Sequence, residues 1–495
     1  MARVRLIDDD ETQLELRRLI LEQAGHTIVE AGPADAVVMD LHIPSLDAGL
    51  KAIRDLSPTG ARICVLSGFA QDLRGRPEEQ LVHRILTKPA RTELLLKWLA
   101  ALLMALAVHA ETLDLKTSQP GEVAVELELS SPGSRWARQG REAALADVSV
   151  DGGPVQHVMV FDGERRHRYP LWLGNLAAGA HQVSVKRNTT YSASASELRV
   201  HGIKQIELAN DVLSRAPVLY ARKNTIGKFT DIPLIVYAER LDGGKTLQYT
   251  VIFSNEDGGT ATRALMARWG RTTDIEYVYR LDVASGRAII QGNGHKDITY
   301  EGVMEDAHPV LIPTTDNNMV GAGQTSEIRY QIAPIEVDLT HDSRESVMDR
   351  QPWSYRIAAE ELVREGKISL IGDPRGYIMV EAAITNHDSA VAAVARLKSG
   401  RLYSSHAGRE PMAMERDDII RTTIQLPSQD IESIGFTCLA LTKRPPAPSP
   451  GPCSFGPGVK VFRLDKDYKP ERISGAWDKA PRTTLMPGET VLTPR

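Results

Sequence analysis

The chain has 495 residues, of which 42% are hydrophobic and 25% are charged, and its formal net charge is −5. These values are typical of a folded soluble protein of about three domains, and they exclude a wholly disordered chain and a strongly basic nucleic-acid-binding protein. Three cysteines (Cys64, Cys438 and Cys453) exclude a disulfide-dense scaffold and a zinc site built mainly from cysteine, but allow one disulfide.

Two patterns of predicted secondary structure divide the chain. Residues 1–104 alternate short apolar strands with helical segments, which predicts an α/β fold around a doubly wound parallel sheet. After residue 111, short strands separated by Gly, Asn and Asp turns predict an all-β, sandwich-like region. We therefore predict a first domain over 1–104, a linker or signal-like helix with a small β-sandwich over 105–205, and a larger β-rich domain over 206–495.

Polar residues follow the predicted strands of the first domain. Asp8 and Asp9 come directly after the first strand, and Asp40 follows a fully apolar strand. Ser67 and Lys88 follow the next two strands. Because the carboxyl ends of parallel strands meet at one edge of a sheet, these side chains should converge. Neighbouring carboxylates need a cation, and their hard oxygens suit Mg²⁺, so the pattern predicts a site where an aspartate accepts a phosphoryl group.

These residues lie in four short motifs: Leu6-Ile-Asp-Asp-Asp10, Val38-Met-Asp-Leu-His-Ile-Pro44, Val65-Leu-Ser-Gly68 and Leu86-Thr-Lys-Pro89. In this combination and order, the motifs strongly resemble those of the receiver domain of bacterial two-component response regulators. The resemblance covers residues 2–104, and it implies the flavodoxin-like fold of that family.

The resemblance also implies a role for each residue. Asp40 would be the phosphoryl acceptor, Ser67 the hydroxyl that follows the phosphoryl group, and Lys88 the partner of the acidic cluster. The implied cofactor is Mg²⁺, held by Asp8, Asp9, Asp40 and the backbone carbonyl of His42. The implied phosphodonor is a histidine kinase or phosphotransferase, and the implied chemistry is limited to phosphoryl acceptance and autodephosphorylation.

Two features depart from the family pattern. Only about six residues separate Glu30 from the next strand, too few for the second crossover helix, so the domain is either trimmed or differently connected there. Three positions before Lys88, where the family usually has an aromatic residue, the chain has Ile85. We therefore expect that Asp40 can still be phosphorylated. The conformational coupling between Ser67 and an aromatic ring, which is usual in the family, is not expected.

The segment 97–110 has two interpretations. It is the end of a helix that begins near Thr92, or a secretory signal with Lys97 at its start, an apolar core and a small-residue end at Ala110. It is too short for a transmembrane span. A signal behind a folded domain should not work, so we expect the full-length chain in the cytoplasm. If the signal is used, residues 111–495 are an exported protein joined to a receiver by gene fusion or a misplaced start.

The β-rich region contains no motif of a known catalytic family, and whether it is an enzyme stays open. Cys438 and Cys453 bracket a proline-rich loop, and they form either a disulfide or two buried thiols. One helix is predicted from Trp353 to Glu365. Without a helix-turn-helix pattern, we expect no nucleic-acid partner. The alternative function is that of an exported carbohydrate-binding or hydrolytic β-protein, with a carbohydrate as the candidate ligand.

Overall fold

The computed structural model describes residues 3–30, 32, 34–59, 61–106, 110–256, 258–428, 430–441 and 450–495, with the backbone alone at 100–106. The chain forms two compact units. The first comprises Met1–Gly121, Val125–Tyr169 and Asn175–Gln205, and the second comprises Glu122–Ala124, Pro170–Gly174 and Ile206–Arg495.

The first unit begins with a parallel sheet and three helices. Its elements are β1 (Arg3–Ile7), α1 (Glu11–Gln23), β2 (Thr27–Ile28), β3 (Ala36–Met39), α2 (Leu46–Leu56), β4 (Arg62–Ser67), β5 (Arg84–Thr87) and α3 (Thr92–Leu106). The strand order is β2-β1-β3-β4-β5, and every neighbouring pair is parallel. The predicted parallel α/β sheet is confirmed.

The apolar strands of this sheet are covered on both faces. Ala36 and Val38 of β3 pack in one cluster with α1 and α3, whereas the alternate residues Val37 and Met39 pack in another cluster with α2. Side chains alternate between the two faces of a strand, so a continuous apolar run is what a doubly covered strand requires.

The connection between β2 and β3 is short. It runs over residues 29–35, and its described residues contain no helix. Because β2 and β3 pair with opposite edges of β1, this link crosses β1 without the usual helix. Of the two alternatives that the sequence left open, the sheet is trimmed at this point and keeps its parallel order.

Residues 111–206 form two sheets. Their strands are β6 (Glu111–Thr117), β7 (Gly121–Ser130), β8 (Ala144–Val150), β9 (Gln156–Val160), β10 (His167–Leu176), β11 (Gly179–Arg187) and β12 (Arg199–Ile206). One sheet has the order β6-β11-β8-β9 with antiparallel pairs, and the other has the order β10-β7-β12. This part of the chain is rich in short strands, as the sequence predicts.

Two further sheets occupy residues 207–336. Their elements are α4 (Asn210–Leu213), β13 (Val218–Tyr220), β14 (Pro233–Leu241), β15 (Thr246–Phe253), α5 (Thr262–Trp269), β16 (Asp274–Asp282), β17 (Ala288–Gly292), β18 (Lys296–Thr299), β19 (Met304–Glu305), β20 (His308–Pro313), β21 (Val320–Ala322), β22 (Arg329–Tyr330) and β23 (Ile335–Glu336). One sheet has the order β19-β20-β13-β22, with β21 beside β20. The other has the order β18-β17-β16-β15-β14-β23.

The C-terminal part combines short helices with two sheets. Its elements are α6 (Ser346–Asp349), α7 (Trp353–Arg364), α8 (Ile368–Ile371), β24 (Tyr377–Asn386), β25 (Ser389–Leu397), β26 (Leu402–Ser404), β27 (Asp418–Gln425), β28 (Ile431–Ala440), β29 (Cys453–Phe455), β30 (Lys460–Leu464), β31 (Pro470–Arg472), β32 (Thr483–Leu485) and β33 (Thr490–Pro494). The orders are β31-β30-β24-β29-β32, with β27 beside β24, and β26-β25-β28-β33. Residues of both sheets form one apolar core. The helix predicted from Trp353 is confirmed as α7.

Helix α3 covers the first part of the signal-like segment, from Lys97 to Leu106. Residues 107–109, at the end of that segment, lie outside the described residues. Within the described ranges, every helix is too short or too polar to cross a membrane.

Candidate functional site

Four of the sequence-predicted site residues lie at the carboxyl edge of the parallel sheet. Asp8 follows β1, Asp40 follows β3, Ser67 ends β4, and Lys88 follows β5. The order β1-β3-β4-β5 places these four strand ends next to one another. The local sequence positions them, because each polar residue comes directly after an apolar strand that the sheet buries.

Asp40 is the most highly coordinated carboxylate of the group. Its Oδ1 accepts hydrogen bonds from the backbone N–H groups of Leu41 (2.6 Å) and His42 (3.3 Å) and from the Ser67 hydroxyl (2.5 Å). Its Oδ2 accepts one from the Lys88 ammonium (2.5 Å). Burial works to raise the pKa of Asp40, but the hydrogen bonds from Lys88, Ser67 and the His42 N–H hold it below its usual value. Asp40 is therefore ionised at neutral pH.

Asp8 lies deeper in the crevice, with its side chain 1% exposed. Its Oδ2 accepts hydrogen bonds from Arg17 Nη1 (2.5 Å) and from Lys88 Nζ (3.0 Å), and its Oδ1 accepts one from the Asp10 N–H (3.0 Å). Burial opposes ionisation, but the hydrogen bonds from Arg17, Asp10 and Lys88 outweigh it, and the pKa of Asp8 is lowered. Lys88 thus joins Asp8 to Asp40.

A glycine sets the position of the segment that carries Asp40. Helix α2 begins after Ser45, whose hydroxyl accepts a hydrogen bond from the Ala48 N–H. Gly49 lies in its first turn, where a Cβ atom would come 1.7 Å from the carbonyl oxygen of Leu41. Only glycine allows the helix to approach the residue next to Asp40 this closely.

Asp9 and His42 occupy different surroundings. Asp9 is exposed and follows Asp8 at the mouth of the crevice. The His42 ring stacks on Phe69, with 4.8 Å between the ring centroids, and its Nε2 lies 3.1 Å from an oxygen of Asp72. The imidazole of His42 is therefore engaged elsewhere, which leaves its backbone carbonyl as the group considered for a metal.

The oxygen donors of this crevice fit a hard divalent cation in their chemistry. Asp8 and Asp40 both accept hydrogen bonds from the same Lys88 ammonium, so their carboxylates converge on one cation. In the structure that cation is Lys88, and Arg17 adds a second charge at Asp8. Over the residues that the structure describes, no three His, Cys, Asp or Glu side chains are grouped as metal ligands.

Arg17 was not predicted from the sequence. It lies on α1 with its side chain 9% exposed, and its Nη2 also donates to Gln13 Oε1 at 3.2 Å. The sequence signal that could have identified it is helical spacing. Gln13 and Arg17 are four residues apart, so they lie on one face of the helix that begins after Asp10.

Cys438 and Cys453 form a disulfide in the structure, with 5.7 Å between their Cα atoms. The bond joins β28 to β29, which belong to the two sheets of the C-terminal core. Most of the proline-rich loop between them, residues 442–449, lies outside the described residues. Cys64 in β4 is a buried free thiol, and burial raises its pKa to about 12, which makes it unreactive.

Comparisons with known proteins find matches to solved structures alone. No family model matches the chain, and no curated protein matches it. A response regulator from Thermotoga maritima in complex with Mg²⁺-BeF is 21% identical, with 21% of this chain and 99% of that chain covered and a TM-score of 0.19. A receiver domain from Methylobacillus flagellatus is 23% identical, with 21% and 98% covered and a TM-score of 0.18. A sensor protein from Polaromonas sp. JS666 is 25% identical, with 21% and 98% covered and a TM-score of 0.19.

Each of these matches covers 21% of this chain, and the matched proteins are a response regulator, a response regulator receiver domain and a sensor protein. At such TM-scores they carry no conclusion about function. What the first unit can do chemically follows from its own crevice: an ionised aspartate, a lysine that bridges two carboxylates and a buried hydroxyl are held together at the edge of a parallel sheet.

Proposed function

We propose that the chain is a response regulator whose receiver accepts a phosphoryl group on Asp40. The observation that carries the proposal is the Lys88 ammonium, which is hydrogen-bonded to Asp8 and to Asp40 while the Ser67 hydroxyl donates to the other oxygen of Asp40. A structural ion pair requires only one carboxylate and one cation. A phosphoryl acceptor requires a nucleophile, a cation and a hydrogen-bond donor at one point.

The carboxylate of Asp40 provides the nucleophile. Its Oδ1 accepts hydrogen bonds from three donors, whereas Oδ2 accepts one from Lys88, so Oδ2 is the attacking oxygen. In transfer from phosphohistidine, the new P–O bond forms as the P–N bond breaks. The electron pair of the P–N bond leaves with the imidazole, which takes a proton from solvent. Lys88 then stabilises the negative charge on the phosphoryl oxygens.

Mg²⁺ is the cofactor that we propose for this step. Asp8, Asp9, Asp40 and the backbone carbonyl of His42 would hold it, and when bound it supplies positive charge to the transferring phosphoryl group. Arg17 keeps the buried Asp8 carboxylate ionised and oriented toward the crevice. Hydrolysis of the acyl phosphate would return Asp40 to its free form.

A histidine kinase or phosphotransferase is the proposed phosphodonor. A groove of about 500 Å³ lies next to Lys88, between α1 and the segment that leads into α3. Leu16 on its α1 side is 51% exposed, and Leu95 lies on its α3 side. The groove beside the acceptor has both apolar and polar walls. It suits an amphipathic helix of the donor protein, because such a helix can bury its apolar face against the apolar side chains.

Labelling with acetyl phosphate tests the phosphoacceptor directly. Incubation of the full chain with labelled acetyl phosphate and Mg²⁺ should label the wild type and not Asp40→Asn. Asp47→Asn, an exposed aspartate in the first turn of α2, is the matched control and should label like the wild type. Labelling that persists in Asp40→Asn would refute the assignment.

A second candidate function belongs to residues 111–495, as an exported carbohydrate-binding or hydrolytic protein. The observation that favours it is the Cys438–Cys453 disulfide, because disulfides persist in oxidising compartments and are rare in the cytosol. Mass spectrometry of the native protein distinguishes the two. An intact N-terminal receiver supports the phosphorelay function in the cytoplasm, whereas a mature chain that begins at Glu111 would exclude it.

A further inference from the structure

A second polar site lies within the second unit, on the sheet that contains β14, β15 and β16. A cleft of about 370 Å³ opens against these strands and is bounded on its other side by residues 339–344 and 416–419. Among its described lining residues, only Leu241, Leu339 and Ile419 are apolar. Such walls disfavour an apolar ligand, since burying their polar groups against it would leave hydrogen bonds unmade.

The floor of the cleft is a hydrogen-bonded row across three strands. Glu239, Gln248 and Arg280 stand opposite one another on β14, β15 and β16. Gln248 Nε2 donates to Glu239 Oε2 at 3.2 Å, and Arg280 donates to Gln248 Oε1 through Nε at 2.9 Å and through Nη2 at 2.6 Å. The Arg280 guanidinium also lies over the ring of Tyr277, 4.4 Å from its centroid. The row is therefore held in one geometry before any ligand arrives.

At the opposite wall, three guanidinium groups surround one buried carboxylate. Glu345, which is fully buried, lies near Arg271 (3.4 Å), Arg344 (3.6 Å) and Arg416 (3.3 Å) through the same oxygen. Its other oxygen has no hydrogen-bond partner, and neither do the Nε atoms of Arg344 and Arg416. A network that served stability alone would satisfy these buried atoms. Arg344 and Arg416 line the cleft, where they can donate to an incoming acceptor.

A largely buried carboxyl, Glu276, lies beside the floor. Burial, reinforced by the charge of Asp274, raises the pKa of Glu276 to about 8, although Arg344 and Arg271 oppose the shift. Glu276 is therefore largely neutral at pH 7. With its amide in the favourable orientation, Gln291 Nε2 donates to Glu276 Oε2 at 2.8 Å.

The charges on the walls indicate the class of ligand. The acidic lining residues are Glu239, Glu276, Asp342, Asp417 and Asp418, and the basic ones are Arg280, Arg344 and Arg416. The acids outnumber the bases, which disfavours a polyanion such as a nucleotide. The acidic residues are spread along both walls, so they can accept hydrogen bonds from several hydroxyl groups of a ligand. The arginines can donate hydrogen bonds to other oxygens of the same ligand. A ligand with many neutral hydroxyl groups, each of which can donate and accept hydrogen bonds, is characteristically a sugar.

We propose that this cleft binds a neutral saccharide, whose hydroxyl groups hydrogen-bond the Glu239–Gln248–Arg280 row on the floor and Asp417 and Asp418 on the opposite rim. The site is separate from the crevice around Asp40, and the saccharide proposal does not depend on the phosphoryl-acceptor function. A peptide fits less well, because peptide recognition relies on apolar pockets for side chains, and this cleft has few apolar walls.

Isothermal titration calorimetry on the full chain tests the proposal. The probes are four neutral oligosaccharides, namely cellohexaose, mannohexaose, xylohexaose and maltohexaose, with oligogalacturonate and a Gly-Ser hexapeptide as comparison ligands. At least one neutral oligosaccharide should bind, and Glu239→Gln should weaken that binding about tenfold, the loss expected for a charged hydrogen-bonding group. Glu336→Gln, on the adjacent strand and outside the cleft, is the matched control and should bind like the wild type.

A second variant distinguishes loss of saccharide binding from loss of folding. Asp418 is exposed, and its backbone φ of +85° lies in the left-handed region, which asparagine tolerates. Asp418→Asn should keep the unfolding temperature of the wild type and weaken saccharide binding. The proposal is overturned if no neutral oligosaccharide binds at millimolar concentration, if oligogalacturonate or the hexapeptide binds more tightly, or if both cleft variants bind like the wild type.

Discussion

Lys88 is the residue on which the proposed phosphoryl site depends most, because its ammonium contacts both buried carboxylates. Lys88→Ala removes the positive charge that faces the transferring phosphoryl group. We expect the initial rate of labelling by acetyl phosphate to fall at least about tenfold. Lys51→Ala, at an exposed lysine of α2 that pairs with Asp55, should label at the wild-type rate. Equal rates for Lys88→Ala and the wild type would show that the lysine is only structural.

The raised pKa of Glu276 predicts that the stability of the fold depends on pH. The pKa of Glu276 is about 8 in the folded protein, above the usual glutamate value of 4.5. Between these two pH values, the folded state therefore binds more protons at Glu276 than the unfolded state does. The stability from this group is therefore fully present at acidic pH and lost as pH rises through about 8. The charged groups around it are Asp274, Arg344, Arg271, Glu256 and His295.

The measurement is the unfolding temperature between about pH 6 and pH 9. It should decrease with pH in the wild type and decrease less in Glu276→Gln, which cannot ionise. Some slope should remain, because burial also raises the pKa values of Glu256 and Glu361 to about 7. The control Glu336→Gln should keep the wild-type slope. A Glu276→Gln profile identical to the wild type would contradict a protonated Glu276.

The sequence predicted most of the residues in the first site, and the reason is physical. Asp8, Asp40, Ser67 and Lys88 each end a strand, and a parallel sheet brings strand ends together whatever the rest of the chain does. Arg17 was missed because its contact with Asp8 depends on the rotation of α1 about its axis. The cleft of the second unit was missed because Glu239 and Arg280 meet only through strand register across β15.

At the level of elements, α1 is the part of the receiver that faces a phosphodonor in our proposal. Leu16→Glu places a charge on the exposed rim of the groove without changing Asp40 or its partners. We expect slower phosphotransfer from a cognate kinase and unchanged labelling by acetyl phosphate. Glu15→Gln, on the same helix, is the control. Equal loss with both donors would indicate damage to the site rather than to docking.

Elements with a clear periodicity were predicted, and elements without one were not. The continuous apolar run of residues 36–39 and the alternating residues 123–129 predict strands, and they lie in β3 and β7. Helix α5 was missed because Ala264, Leu265, Met266 and Ala267 are apolar and buried in succession, so its sequence lacks the three-to-four-residue spacing of an amphipathic helix. Its end is set by Gly270, whose φ is +67°. The prediction of a single helix in the β-rich region was therefore wrong.

At the scale of the whole molecule, the disulfide distinguishes the β-rich part from the N-terminal α/β part. It closes a loop with a sequence separation of 15 and crosslinks the two sheets of the C-terminal core. Replacing Cys438 and Cys453 with alanine should lower the free energy of unfolding of this core by about 3 kcal/mol. Alkylation of the denatured wild type without reductant should modify Cys64 alone. Modification of all three cysteines would show that the disulfide does not form.

The average composition of the chain combines two different parts. The N-terminal α/β part has a buried free thiol and a site built at strand ends, whereas the C-terminal core has a disulfide, with a polar cleft in the same unit. The division into one α/β domain and two β-rich domains stays a prediction, since compactness divides the chain into two units.

Chemical mapping of the phosphorylated residue tests the central claim most directly. Borohydride reduces an aspartyl phosphate to homoserine, so treatment of the chain after incubation with acetyl phosphate and Mg²⁺ marks the acceptor permanently. Peptide mass spectrometry should then find homoserine at position 40 and aspartate at positions 8, 9 and 10. Homoserine at another aspartate, or aspartate alone at position 40, would contradict the assignment of Asp40 as the phosphoryl acceptor.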